Sequence, residues 1–513
     1  MKSVWSKDNL ILAFNRLITN PESTYKNYFR DAYRAYGMAL PDNITLLRKK
    51  KSGYLAHDAV RAFLPKANGL SRLYMLLSIE DQIVYQAYGN IIADHLIKNR
   101  KVKNRYKRSI FGNLYAGPGC QFFYQKWQSS YSAYTKAIKN TYADGYEYIA
   151  SFDLTACYDS INHELIRNTL INNFKLERAF TNEFINLLGR WTSTELMLST
   201  GIPQGPITSG IIAEVVLSKY DEDLDELQKQ YDFKYYRYVD DIRILSTNEE
   251  TVKWILFLLD KKSKELGLFP QSSKIAVHKI ENIDEEVKSI SKPLFDEDIE
   301  ENSKSQIAAA SIKHILKSEN ADLTSIKRYF SFVEQNSETN AIALQAIKTF
   351  PNLIHSFAYY VKRYPRKIPP RISEYIIQCC NDKTQQFASG ILLEAIIGNI
   401  GKKDKQRYLD LAKNLIAEDK KHPFIVDCRL QSQLIMLVLY YDTKVGRTYS
   451  NYLKKCCWWV KGQVLYQAQS FLSEAMITDW LMVVITIVYD IAALNIYASL
   501  RLSTLRSSLR KRI

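Results

Sequence analysis

Hydrophobic positions recur three and four apart through most of residues 1–120, which predicts a mostly helical N-terminal segment with a basic loop, RKVKNRYKR, at 100–108. Glycine and aromatics then crowd together in FGNLYAGPGCQFFYQKW, a composition that predicts irregular, tightly turning backbone. From about 145 to 280 the period alternates between two and three to four. YEYIASFDL reads as a strand, because β-branched and aromatic residues alternate in it. SINHELIRNTLINNF reads as an amphipathic helix with a polar start, and KYYRYVDDIRIL as two short strands joined at Val239-Asp240-Asp241.

The stretch ENIDEEVKSISKPLFDEDIEENSKS, 281–305, is acidic, polar and poor in periodic apolar positions, and reads as the main domain boundary. Beyond it, short amphipathic segments follow one another with brief polar connections. They suggest stacked helix pairs of the solenoid kind, with an irregular helical bundle as the alternative, since no repeat period is legible. The most apolar stretch, Trp480–Leu494, carries Asp490 and falls short of the roughly 20 residues a membrane span needs. It reads as a buried helix, so no membrane partner is expected.

With 513 residues, 46% of them hydrophobic and 24% charged, the chain has the ordinary globular balance, which excludes a mainly disordered or collagen-like protein. The net charge of +16 is unevenly spread. Residues 1–120 hold 20 basic and 8 acidic side chains, and the last thirteen residues hold five basic and none acidic. Segregated positive charge suits a polyanionic partner, although a solubilising surface has the same composition. The seven cysteines include no C-x-x-C and the histidines no H-x-x-x-H, so a zinc site is not expected. An odd cysteine count without a disulfide framework, and an N-terminus without a sustained apolar core, fit a cytoplasmic protein.

Three carboxylates change the picture. Nucleotidyl transfer needs two Mg²⁺ ions about 3.5–4 Å apart, and Mg²⁺ takes hard oxygen ligands on rigid elements. Asp153 lies at the end of one predicted strand, and Asp240 and Asp241 lie at the junction of two others. An Asp-Asp pair on a turn is usually only turn chemistry. Here, however, Asp153 is followed 51 residues later by Gln204 in GIPQGPITSG, and 36 residues after that by Asp240.

In this order and spacing, FDLTACYDSINH, GIPQGPITSG and YVDD resemble the three palm motifs of reverse transcriptases, and GLFPQSSKIAV resembles the motif that follows them. The resemblance covers roughly 60–280. It implies an α+β right-hand polymerase of fingers and palm, fused to an all-α helical-repeat domain. Residues 1–145 would be the N-terminal segment and fingers, 146–285 the palm, 286–305 an acidic linker, and 306–513 a HEAT-like domain in place of a conventional thumb. Asp153 and Asp240 would hold two Mg²⁺, or Mn²⁺, with Asp241 completing or orienting the shell. Tyr158 would be the steric gate that rejects a 2′-hydroxyl, or else a packing residue. Gln204 and Gly205 would contact the nascent base pair, and Lys66 and Arg72 would grip the triphosphate of an incoming dNTP. Lys274 would meet the pyrophosphate leaving group or stand in solvent.

The long helical extension in place of an RNase H, integrase, endonuclease or maturase region is similar to bacterial abortive-infection reverse transcriptases of the AbiK-like class. That resemblance implies anti-phage defence, template-independent synthesis of single-stranded DNA covalently attached to a protein hydroxyl, and a trimeric or hexameric homo-oligomer. Among 35 tyrosines, Tyr25, Tyr28, Tyr33 and Tyr36 are candidate priming hydroxyls, because basic residues surround them. The alternatives are a templated, retron-like enzyme using a dedicated RNA, and a vestigial palm carried by a helical scaffold.

Overall fold

The computed structural model describes residues 3–21, 23–66, 70–193, 199–272, 275–287, 294, 301–318, 322–363, 368–442 and 446–468. The apolar stretch at 480–494, the basic C-terminal tail and Lys274 lie outside these residues. The chain folds as two compact units: Met1–Tyr33, Ala39–Ala59 and Met75–Ile290 form the first, and Arg34–Met38, Val60–Tyr74 and Ser291–Ile513 the second.

The chain begins with helices, as its period predicts: α1 (Lys7–Thr19), α2 (Thr24–Asn27), α3 (Arg30–Met38) and α4 (Leu40–Lys49). A hairpin of β1 (Val60–Pro65) and β2 (Ser71–Leu76) follows, then α5 (Ile79–Lys98), α6 (Arg100–Arg108) and α7 (Trp127–Ala143); the basic segment expected as a loop is thus a helix, α6, capped by the Asn99 side chain. Helix α5 starts at the Ser78 cap, whose hydroxyl accepts from Asp81 N–H, and most of its length is buried. Between α6 and α7 the glycine-aromatic segment makes positive-φ turns at Gly117 and Gly119. The buried guanidinium of Arg16 pins it, donating to the carbonyls of Cys120 at 3.0 Å and Gly117 at 2.9 Å.

The rest of the first unit runs β3 (Tyr148–Phe152), β4 (Leu154–Thr155), α8 (Cys157–Ser160), α9 (His163–Asn172), α10 (Arg178–Thr192), α11 (Thr208–Leu227), β5 (Lys234–Tyr238), β6 (Asp241–Ser246), α12 (Glu249–Glu265), β7 (Phe269–Pro270), β8 (Ala276–Lys279) and α13 (Ile283–Glu286). Four strands form an antiparallel sheet in the order β5-β6-β3-β8. Directly opposed residues share a face, so Ile149 with Leu245 and Tyr236 meet Tyr134 and Ile138 of α7 in one core, which Phe111, Ile280 and Val287 complete. The other face meets α12, whose buried Val252, Ile255 and Leu259 form its apolar stripe.

The stretch expected as a linker is partly built into this unit. Val287 is buried in the sheet core, and Glu286 accepts from Arg243 at 3.0 Å. Glu286 thus finds a basic partner on the sheet, and Asp284 finds one in Lys139 of α7.

Among its described residues the second unit is helical apart from the β1 hairpin, with α14 (Glu301–Ile315), α15 (Leu323–Tyr329), α16 (Ser337–Thr349), α17 (Ile354–Lys362), α18 (Pro370–Asn381), α19 (Gln386–Ile396), α20 (Lys402–Lys421), α21 (Cys428–Tyr441), α22 (Gly446–Lys455) and α23 (Trp458–Ala468). Helices α17, α19, α21 and α23 pack in succession, with α18 against α19 and α20 against α21. Gly390 allows the closest approach, since a β-carbon there would lie 2.7 Å from Leu430 N. Strand β1 packs on α19, so this part of the N-terminal segment belongs with the helical unit and not with the rest of residues 1–145.

Candidate active site

The register of β3 on β6 ends at the pair Phe152↔Ile242. Asp153 directly follows β3 and Asp241 opens β6, so the chain delivers both carboxylates to the same end of this strand pair, and strand alternation puts Asp241 on the face of Arg243. Asp240 occupies the turn between β5 and β6, immediately after Val239 at φ +59°. All three aspartates are half-buried. Burial first, then the charges of Asp240 and Asp153 among others, hold the Cys157 thiol well above its ordinary value.

Asp241 is engaged by Arg243, Nε to Oδ1 3.3 Å. The same guanidinium donates to Ser151 Oγ and to Glu286. Arg243 is not marked by any motif, yet it lies two residues past Asp241 on one strand, and strand alternation puts both on one face.

Gly201 to Gly205 fold as a turn fixed on every side. Ile202 N–H donates to the Tyr158 carbonyl at 2.8 Å and Gly201 N–H to the Ile161 carbonyl at 2.7 Å, which docks the turn on α8. The His163 ring bonds the Gly201 carbonyl at 2.7 Å, and its pKa is lowered, chiefly by burial. Gln204 accepts from Met75 N–H through its carbonyl at 3.0 Å, and Ser209 Oγ donates to the Pro203 carbonyl. The turn is thus held to the Tyr158–Ile161 segment through Gly201 and Ile202, and to Met75 through Gln204. Gly205 has φ +119°, a conformation that favours glycine.

Tyr158 follows Ala156, a left-handed residue at φ +47°. Two non-glycine residues with positive φ therefore flank the carboxylates, a clustering usual at functional sites. The Tyr158 phenol is held protonated far above its ordinary value by burial first, then by Cys157 and Asp240.

The remaining expected residues lie on other elements. Lys66 and Arg72 are exposed, at the end of β1 and within β2, on a hairpin that belongs to the second unit. Tyr25, Tyr28, Tyr33 and Tyr36 are buried, at 5%, 2%, 6% and 2% exposure. Tyr25 accepts from Leu77 N–H at 3.2 Å, and the Tyr33 hydroxyl bonds Gln82. Burial pushes both phenols up, so neither is activated as a nucleophile where it stands.

Hard carboxylate oxygens suit Mg²⁺. Among the described residues no three His, Cys, Asp or Glu side chains close around one point as a metal cage. An open carboxylate set is what Mg²⁺ uses when it keeps several waters and shares itself with substrate phosphates. Asp153 and Asp240, with Asp241 beside them, are the residues that would hold such ions, which neutralise charge developing on a transferring phosphoryl group.

Residues 64–307 match the family described as reverse transcriptase (RNA-dependent DNA polymerase), which marks this segment as a nucleotidyltransferase domain of that family. The "Uncharacterized 91 kDa protein in cob intron" of Schizosaccharomyces pombe is 22% identical over 246 residues, 45% of this chain and 26% of that protein. The "Retron Ec83 reverse transcriptase" of Escherichia coli is 33% identical over 113 residues, 20% of this chain and 34% of that protein. The chain thus matches about a quarter to a third of the length of these relatives. The structure of apo telomerase from Candida tropicalis is similar at TM-score 0.35 and 11% identity, covering 88% of this chain and 74% of that one, a score too low to bear on the fold. No helix among the described residues is long and apolar enough to cross a membrane.

Proposed function

We propose that the protein is a Mg²⁺-dependent DNA polymerase of the reverse-transcriptase type, adding dNTPs to a growing strand at Asp153, Asp240 and Asp241. The observation that supports the reading is the register of β3 on β6, since Asp153 follows β3 and Asp241 opens β6 at the same end of the pair, where the Asp240 turn also lies. Gly201–Gly205 docked on the Tyr158 carbonyl supports the assignment of a nucleotide pocket. Tyr158 is the sugar gate, Gln204 and Gly205 meet the nascent pair, and Lys66, Arg72 and Lys274 handle phosphate. The finer reading is defence against phage by a self-primed, template-independent enzyme, assembled as a homo-oligomer, with the stacked helices of the second unit serving as a repeat domain. The fusion of the polymerase segment to a long helical unit supports it.

Purified protein incubated with labelled dNTPs and Mg²⁺, without nucleic acid, should yield DNA that stays with the protein after denaturation and is freed by protease. Product formed only when template and primer are added would refute self-priming and leave the polymerase reading intact. The buried state of Tyr25, Tyr28, Tyr33 and Tyr36 means that a priming role for any of them requires local opening first.

A second reading, a templated enzyme with a dedicated RNA, is favoured by the 33% identity to the retron enzyme over 113 residues. Recovery of one defined RNA with the protein from cells would support it.

A further inference from the structure

The turn that presents Asp240 is preceded by a fully buried arginine. All five N–H donors of the Arg237 guanidinium are used. Nε donates to Asp221 Oδ1 at 3.0 Å and Nη2 to Asp221 Oδ2 at 2.7 Å. Nη1 and Nη2 reach the two Glu214 oxygens at 3.0 and 2.8 Å. The remaining donor, on Nη1, meets the Val239 carbonyl at 2.7 Å. Glu214 and Asp221 both belong to α11, the helix that begins just past Gly205.

Val239 is a β-branched residue at φ +59°, a conformation it adopts only under constraint. The constraint comes from two sides. Arg237 holds the Val239 carbonyl, and Gly112 lies against its nitrogen, where an added β-carbon would be 2.2 Å away. Residues 109–112 are laid along β5 by the Arg237 backbone, which donates to the Ser109 carbonyl at 2.7 Å and accepts from Phe111 N–H at 2.9 Å.

We propose that Arg237 is a positioning residue for the metal-binding carboxylates: clamped by Glu214 and Asp221, it fixes Val239 in the left-handed conformation that sets the direction of Asp240. This inference rests on the polymerase reading and extends it, since it ties the carboxylate turn to the helix that carries the nucleotide-pocket turn. A buried ion cluster that merely holds the core together would leave chemistry and cation binding unchanged in any variant that still folds.

The test uses the full chain and Arg237→Lys, which keeps a charge beside Glu214 and Asp221 but offers three donors on one nitrogen instead of a planar fork. The kcat for dNTP incorporation should fall about tenfold or more, while KM for the dNTP moves less than about threefold. Mn²⁺ binding, followed by electron paramagnetic resonance without nucleotide, should weaken in parallel. Adding Val239→Gly, which reaches positive φ without strain, should restore most of both. If Arg237→Lys does not fold, the triple variant Arg237→Gln, Glu214→Gln, Asp221→Asn removes all three charges together and is read in the same way. Wild-type kcat and Mn²⁺ affinity in the folded variant, or a loss that Val239→Gly leaves untouched, overturns the positioning role. Wild-type protein that neither incorporates nucleotide nor binds Mn²⁺ overturns the polymerase reading beneath it.

Discussion

The ring of Tyr25 covers the α-carbon of Gly205, so closely that an added β-carbon would stand 2.1 Å from Tyr25 Cδ2 and 2.6 Å from Cε2. The turn of the proposed nucleotide pocket is therefore roofed by a side chain from α2, whose own hydroxyl is bound to Leu77 N–H. Gly205→Ala meets both a collision and a positive φ, and should destabilise the protein by about 2–5 kcal/mol. Urea unfolding would measure it. Tyr25→Ala in the same chain should recover the part due to the collision only, and a Gly205→Ala midpoint equal to wild type would refute the packing.

Asp153→Asn and Asp240→Asn should each lower dNTP incorporation by at least about 100-fold, because each removes a charge that holds a divalent cation. Circular dichroism should stay unchanged, since both side chains are only half-buried. Asp241→Asn should be milder, and Arg243→Gln should resemble it, because Arg243 is the cation that Asp241 faces at 3.3 Å. Equal losses at all four positions would argue against separate roles.

Tyr158→Ala should relax the preference for dNTP over NTP by about 10- to 200-fold, the range that one apolar contact in a pocket commands. Tyr158→Phe should keep the preference, since the ring and not the hydroxyl would exclude the 2′-oxygen. Competition between the two nucleotide classes at fixed concentration gives the ratio, and an unchanged ratio in Tyr158→Ala would leave the residue as packing.

The site is legible where local period and motif agree. Alternation in KYYRYVDDIRIL foretells β5 and β6, with the turn at Val239-Asp240 and Asp241 already in the strand. The β1 hairpin is not legible in the same way. Ala62 and Leu64 are buried in alternation, but Phe63 between them is 42% exposed and hides the period of two. Arg237 is invisible for another reason. Its partners Glu214 and Asp221 lie 23 and 16 residues earlier on a helix, and nothing local marks an arginine between two tyrosines as buried. The boundary stretch at 281–305 misleads in part, because an acidic, weakly periodic sequence looks like a linker until its carboxylates find basic partners, as Glu286 does on Arg243.

The helical unit carries two buried titrations of opposite sign. Asp427 caps α21 by accepting from Leu430 N–H at 2.7 Å. Burial pushes its carboxyl up from 3.8 to about 6, against the lowering influence of that hydrogen bond and of Arg429. Between these values the folded state binds the proton more tightly than the unfolded chain, so this group's contribution to stability is lost as pH rises from about 4 to 6. His355 packs edge-on against Phe387, and burial, then Arg429 and Lys327, lower it from 6.5 to about 4. There the unfolded chain binds the proton more tightly, so stability is lost as pH falls from 6.5 to 4. Each contribution is at most about 3 kcal/mol, and they oppose each other across nearly the same window. The wild-type protein should therefore show little net slope from this pair. Asp427→Asn, which keeps a capping oxygen, should leave only the histidine, so that unfolding midpoints drop towards pH 4. His355→Gln should do the reverse and be most stable near pH 4. Urea melts at pH 4, 5, 6 and 7 on the three proteins decide it: parallel curves would show that neither group titrates as its surroundings require.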